Sequence, residues 1–369
     1  MKTLPRRLIT AVIIAAITLT TGAARADNDD LAYSQTNLVS NGTASTVGAP
    51  DMHLKNPWGI AMLPGAPFWI ADNGTGFSTL YDGHGTTIPL VVTIPPPKNS
   101  PAGTAATPTG IVWNPNGQLF LIGTQKLAPL FIFATEDGTI SAWNPTVSLN
   151  SAVLQVDNSG NAVYKGLALA TNSSGVFLYA TNFQAGTVDV FDSKFQPARL
   201  SGSFTDPRIP AGYAPFGIAL IDGNLFVTYA LQGANKHDDV KGPGHGFVDV
   251  FDTDGNLITR FASRGVLNSP WGIARAPQDF GPFSSRILIG NFGDGRINGF
   301  SSFGDFRGQL RDAKRHAIQI DGLWSIVFGA SAASDPNKLY FTAGPDDETN
   351  GLFGFVQTVP LNDHDRDNH

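Results

Sequence analysis

The chain has 369 residues and no cysteine. That excludes a disulfide framework, a thiolate nucleophile and any metal site built on sulfur, so the fold must be held by buried area alone. Glutamate is nearly missing too: Glu136 and Glu348 are the only two, against 28 aspartates. Glutamate suits helix interiors, whereas aspartate suits turns and caps. No amphipathic run of helical period exceeds two turns after the first 26 residues, which excludes a helical bundle. No long apolar run occurs beyond that point either.

The one apolar stretch lies at the start. Residues 1–26 carry a basic opening (Lys2, Arg6, Arg7), an apolar run from Leu8 to Thr20, and Ala24-Arg25-Ala26 before a polar segment. This is the three-part pattern of a secretory signal peptide, with cleavage expected after Ala26. The run is too short to span a bilayer, which needs ~20 residues as a helix. A mature chain without a membrane span, exported to the periplasm or the extracellular space, is the expectation. The segment holds four of the 24 basic residues and no acid, so the mature chain carries 20 basic against 30 acidic groups, a net of −10. Such a surface argues against nucleic acid as a partner.

What remains is rich in glycine, 41 residues, and in aromatics, 10%. A long-period comparison organises it. The phrase Pro57-Trp58-Gly59-Ile60-Ala61 recurs at Pro108-Thr109-Gly110-Ile111-Val112, Tyr164-Lys165-Gly166-Leu167-Ala168, Pro215-Phe216-Gly217-Ile218-Ala219 and Pro270-Trp271-Gly272-Ile273-Ala274. A degenerate sixth copy is Leu323-Trp324-Ser325-Ile326-Val327. The markers Gly59, Gly110, Gly166, Gly217, Gly272 and Ser325 are spaced by 51, 56, 51, 55 and 53 residues. Each phrase is followed by an apolar run such as FWIAD, FLYATN or ILIGN. A glycine-bearing connection and an alternating strand such as Thr187 to Asp192 or Phe247 to Asp252 come next, then a turn and a fourth strand.

Six such units predict an all-β fold: a single six-bladed β-propeller of four-stranded blades over residues 31–360, followed by a disordered tail, 361–369. The sixth unit lacks a fourth strand, and Ser34 to Val39 belongs to no other unit. This N-terminal strand is expected to complete the last blade and close the ring. In the second unit both QLFLIG and FIFATED fit the second strand, so its register stays open.

The Pro-x-Gly-Ile-Ala phrase, the apolar strand ending in Ala-Asp or Ala-Thr-Asn, and the Asp-x-Asp-Gly turn resemble the NHL-repeat type of six-bladed propeller. Over residues 31–360 the chain resembles an uncharacterised family of secreted bacterial proteins of that architecture. The resemblance implies fold and carries no assigned activity. Propellers of related repeat type include metal-dependent lactonases, whose ion is held by a carboxylate with asparagine and aspartate, and lyases that use histidine, tyrosine or arginine. Neither Glu136 nor Glu348 lies on an opening strand, which departs from the lactonase pattern.

In a propeller the loops before each opening phrase and after each second strand meet at one mouth of the central channel. Candidates there are Asp72 and Asn73, Asn182, and Asn291 with Asp294, which end second strands. The long fourth-unit loop brings His237, Asp238, Asp239 and His245. Asparagine at a strand end also serves to close a turn. Asp346, Asp347 and Glu348 form a weaker, oxygen-rich metal candidate. Trp58, Trp271 and Trp324 begin opening strands, where they either stack on a ligand or wedge between blades.

No Gly-x-Ser-x-Gly, His-Glu-x-x-His or phosphate-binding loop is present. No cofactor is evident, though a divalent ion such as calcium is compatible. The expected protein is a monomer that binds a protein, glycan or small molecule at the mouth without catalysis. A lactonase-like metal-dependent hydrolase or lyase is the alternative.

Overall fold

The computed structural model describes residues 31–42, 44–330 and 333–361. The expected signal peptide and, apart from Leu361, the expected disordered tail lie outside the described residues. Within them the chain is a six-bladed β-propeller, and no helix is long and apolar enough to cross a membrane.

Blade 1 runs outward through Pro57–Ala61, Phe68–Asp72, Phe77–Tyr81 and Thr87–Thr93. Blade 2 is Pro108–Trp113, Phe131–Thr135, Thr139–Trp143 and Val153–Asp157. The open register of the second unit is thus decided for FIFATED. QLFLIG instead forms a loop in which Phe120 and Ile122 are buried between blades. Blade 3 contains Tyr164–Asn172, Gly175–Asn182 and Thr187–Phe191, with no fourth paired strand. Blade 4 is Tyr213–Ile221, Asn224–Leu231, Phe247–Phe251 and Leu257–Ser263. Blade 5 is Pro270–Arg275, Ile287–Asn291, Ile297–Phe300 and Phe306–Gln309.

Blade 6 takes Leu323–Phe328, Leu339–Ala343 and Leu352–Pro360 from the C-terminal end, and Leu31–Ser40 as its outer strand. The closing strand pairs antiparallel along its whole length, from Leu31 opposite Pro360 to Ser40 opposite Leu352. It buries Leu38 and Val39 against Tyr340 and Phe353. Deleting residues 31–40 would expose that row of backbone groups and this apolar face. The truncated protein is expected to unfold cooperatively at lower denaturant and to aggregate, as read by urea titration and light scattering.

The opening phrase has a conformational meaning. In all six inner strands the pairing register shifts across the x-Gly position, for instance between Pro57 and Ile60 and between Pro270 and Ile273. This is a repeated β-bulge, which bends the strand and re-aims the side chain before the glycine. Glycine is needed because the next blade lies against it. A Cβ on Gly59 would sit 2.5 Å from the carbonyl oxygen of Thr109, and one on Gly217 would sit 2.1 Å from that of Trp271. Hydroxyls knit the same seams: Thr109, Thr181 and Thr342 donate to Tyr164, Phe216 and Trp58 carbonyls of the following blades.

The core is correspondingly divided. Six apolar clusters fill the wedges between successive blades. A seventh lies on the axis and contains Trp58, Phe183, Phe216, Trp271, Phe292 and Trp324.

Candidate functional site: the plugged channel mouth

The axial cluster is built from the side chains that the bulges turn inward. Trp58 stacks on Trp324 with ring centroids 3.4 Å apart, and Phe292 also stacks on Trp324, at 3.9 Å. Trp271 meets both tryptophans edge-on, at 6.0 and 5.8 Å. The three tryptophans therefore lie on the axis and not in the wedges between adjacent blades, and five blades close the channel with one aromatic plug. Below it the channel is a narrow apolar cavity of about 150 Å³ lined by Ile60, Ile111, Leu167, Ile273 and Ile326.

Above the plug, polar side chains converge. In blade 3 the aromatic of the phrase is replaced by Lys165, which is 3% exposed. Its ammonium lies 5.1 Å from the centre of the Trp58 ring and is ion-paired to Glu136 Oε1. Glu136 Oε2 accepts a 2.7 Å hydrogen bond from Asn73 Nδ2. Asn56 Nδ2 donates to Asn73 Oδ1 at 3.2 Å and to Glu348 Oε2 at 2.7 Å, while its own Oδ1 accepts from Trp324 Nε1 at 2.9 Å. Trp271 Nε1 donates to the Lys165 carbonyl at 2.9 Å. The plug and the polar layer are thus one network, and Trp58 Nε1 is buried in it without an acceptor among the described residues.

Two backbone features aim these groups. Asn56 precedes a proline yet sits at φ 44°, and Asp346, Asp347 and Glu348 are successively left-handed at φ 56°, 55° and 65°. Left-handed L-residues are strained, and such strain concentrates where side-chain direction matters. Here the turn leaves Asp347 on the outer rim, 4.0 Å from Lys241, and carries Glu348 inward to Asn56. Burial, reinforced by the charge of Glu136, pushes the Glu348 carboxyl above its ordinary pKa against the opposing hydrogen bond from Asn56.

The fourth-unit loop covers one side. His237 Nδ1 lies 2.7 Å from Asp238 Oδ1, and one ligand atom each from Glu136, His237 and Asp238 fall within 4.8 Å of one another. Burial opposes ionisation of Asp238, but the bonds from His237 and Asn235 outweigh it and hold its pKa below the usual value. Asp239 beside it is raised by burial.

The sequence candidates separate on this geometry. Asn73, His237, Asp238 and Glu348 come together at the mouth, and Trp58 and Trp271 form its floor. Asn182 and Asn291 close local turns. Asn182 bonds Asp189, the Val163 amide and the Ala185 amide, and Asn291 bonds the Val266 carbonyl and Asp294. Asp294 also accepts from the Arg296 amide. His245 is turned onto the Val240 carbonyl within its own loop, and Asp346 onto Asn350. The residues that sequence reading passed over are Asn56, Glu136 and Lys165. Two signals were available: Glu136 follows a second strand at the position of Asn73, and Lys165 stands where four of the other five units have Trp or Phe.

Asp72 lies beneath the mouth, fully buried in blade 1, with Oδ2 accepting from Thr79 at 2.8 Å and Oδ1 without a partner among the described residues. Desolvation raises its pKa well above 3.8. A carboxyl whose folded pKa exceeds its unfolded value adds stability that is complete below the unfolded value and lost as pH rises through the folded one. Asp72→Asn should remove that loss. Urea titrations at about pH 5 and about pH 8 are expected to show the variant gaining stability relative to wild type at the higher pH.

No family model matches the chain. It is 35% identical over 328 residues to uncharacterized protein R648 of Acanthamoeba polyphaga mimivirus, covering 86% of this chain and 78% of that one. Among solved structures it resembles virginiamycin B lyase from Staphylococcus aureus, with a TM-score of 0.52, 14% identity, and 89% and 99% of the two chains covered. It also resembles the PQQ-bound aldose sugar dehydrogenase of Streptomyces coelicolor, with a TM-score of 0.50, 14% identity, and 89% and 98% covered. At that identity the two structures share the propeller fold, and they do not extend the family to bacterial secreted proteins. The chain belongs to the same protein family as uncharacterized protein R648 of Acanthamoeba polyphaga mimivirus.

Proposed function

We propose that the protein is an exported binding propeller that takes a small, hydroxyl-rich ligand such as a sugar at its channel mouth, without catalysing a reaction on it. The observation that carries this reading is the convergence of Asn56, Asn73, Glu136, Lys165, Asp238 and Glu348 over an aromatic floor. Donors and acceptors of both charges converge there above flat rings, and that combination suits polyhydroxylated ligands. Export rests on the three-part N-terminal segment.

Isothermal titration against a panel of hexoses, pentoses and their lactones tests the binding. At least one should bind saturably, and Asn73→Ala and Asp238→Ala should each weaken it by about tenfold or more. Binding unchanged in both variants, or turnover of a bound lactone that either variant abolishes, would overturn the reading. Cell fractionation with N-terminal sequencing tests export, the expected mature start being Asp27.

One observation favours a second reading, a metal-dependent hydrolase or lyase. Glu136, His237 and Asp238 offer two carboxylates and an imidazole at ligating separation, a set suited to a divalent transition ion. An ion there would have to compete with Lys165 for Glu136. Elemental analysis of the purified protein discriminates the readings: a stoichiometric ion that is lost in Glu136→Gln would support the second.

A further inference from the structure

Blade 3 differs from its five neighbours at its outer edge. In the other blades the third strand is paired on both sides, as Thr139–Trp143 is with Val153–Asp157. In blade 3, Thr187–Phe191 has a strand partner on its inner side alone, Gly175–Asn182. The chain begins an outer strand and then abandons it. Asp192 and Gln196 form a tight turn, Pro197 bridges to Phe191, and the Ala198 amide reaches the Val190 carbonyl at 2.8 Å.

Beyond Ala198 the segment is drawn away to blade 4. The Gly202 amide bonds the Asp254 carbonyl at 2.8 Å and the Phe204 amide bonds the Gly255 carbonyl at 3.0 Å. Phe204 is buried against Tyr179 and Phe251 with a left-handed backbone, φ 52°. These anchors explain why the segment does not return to the blade 3 edge.

The consequence is a groove of about 740 Å³ between Thr187–Phe191 on one side and Pro197 to Phe204 on the other. Strand parity defines its chemistry. Val190 and Asp192 direct their backbone groups outward, toward Ala198 and Gln196, so Val188 two residues earlier does the same. The outward N–H and C=O of Val188 have no backbone partner among the described residues. The flanking Arg199 is exposed and forms no ion pair among the described residues, whereas Asp189 is already bonded by Tyr164, Asn182 and Thr187. The groove therefore offers a strand edge, an apolar wall that includes Val188, Leu200 and Phe204, and one uncommitted positive charge.

We infer that this groove receives an extended segment of a partner protein, which completes blade 3 as its fourth strand. The occupant is an extended peptide with alternating apolar residues and an aspartate or glutamate for Arg199. A docked strand supplies the missing ladder bonds, and its alternate side chains fill the wall that outer strands fill in the other blades.

A synthetic peptide with the sequence of this protein's blade 2 outer strand, residues 151–158 (SAVLQVDN), is the probe. Fluorescence anisotropy with the full protein should show saturable binding, and hydrogen exchange should show new protection centred on Val188. Arg199→Glu, a surface change that leaves the fold intact, should weaken binding by about tenfold, and a peptide with lysine in place of its aspartate should restore it. No saturable binding at millimolar peptide, protection elsewhere than blade 3, or an affinity indifferent to Arg199→Glu would each overturn the inference.

Discussion

Trp324→Ala is expected to be the most damaging single substitution in the molecule, lowering the unfolding free energy by about 3–5 kcal/mol in urea titration. Trp324 is 1% exposed and touches four of the five other rings of the plug: it stacks on Trp58 and Phe292 and meets Trp271 and Phe216. Its removal leaves a cavity on the axis, where six rigid blades converge and none can collapse inward to fill it. It also takes the indole donor from Asn56 Oδ1, freeing the residue that bonds both Asn73 and Glu348. Trp324→Phe retains the stacking and loses the donor, so its cost should be nearer 1 kcal/mol, about that of one hydrogen bond. An equal cost for the two variants would show that ring packing contributes little.

Glu136→Ala is expected to destabilise the fold by about 3–5 kcal/mol, because it strands the Lys165 ammonium among aromatic rings. The pair is 10% and 3% exposed, so water screens it poorly. The cation–π contact with Trp58 offsets only part of the loss. Replacing both partners, as Glu136→Gln with Lys165→Met, removes the two charges together. The double variant should therefore be near wild type in stability or exceed it by about 1–4 kcal/mol, with a large coupling energy in the double-mutant cycle. If the pair serves ligand binding, the double variant keeps its fold and loses the ligand, which separates the two roles in one preparation.

Both predictions concern residues whose types were plain in the sequence but whose meeting was not. Trp324 was readable as the sixth copy of an opening phrase, and Glu136 as one of only two glutamates. Nothing in either local segment indicates that Glu136 in a blade 2 turn meets Lys165 of blade 3 and, through Asn73 and Asn56, Glu348 of blade 6. Separations of 29 and 292 residues are spanned by these bonds, and closure of the ring is what brings them together. The asparagines illustrate the converse. Asn73, Asn182 and Asn291 look equivalent as ends of second strands, yet Asn73 faces the mouth while the other two close turns. The difference lies in what stands opposite: Asn73 faces Asn56 and Glu136, whereas Asn182 and Asn291 have Asp189 and Asp294 within their own blades.

Local repetition was enough to establish the blade count, the closing N-terminal strand and the position of the glycines, because each of those follows from a pattern contained within about fifty residues. An inner strand that lies against the next blade's backbone needs its glycine, and an unmatched strand needs an edge. The aromatic plug, the polar network above it and the open edge of blade 3 were decided only by tertiary structure. They depend on which blades become neighbours around the axis and on where a diverted segment finds stronger bonds, and a repeat whose copies read alike does not record either.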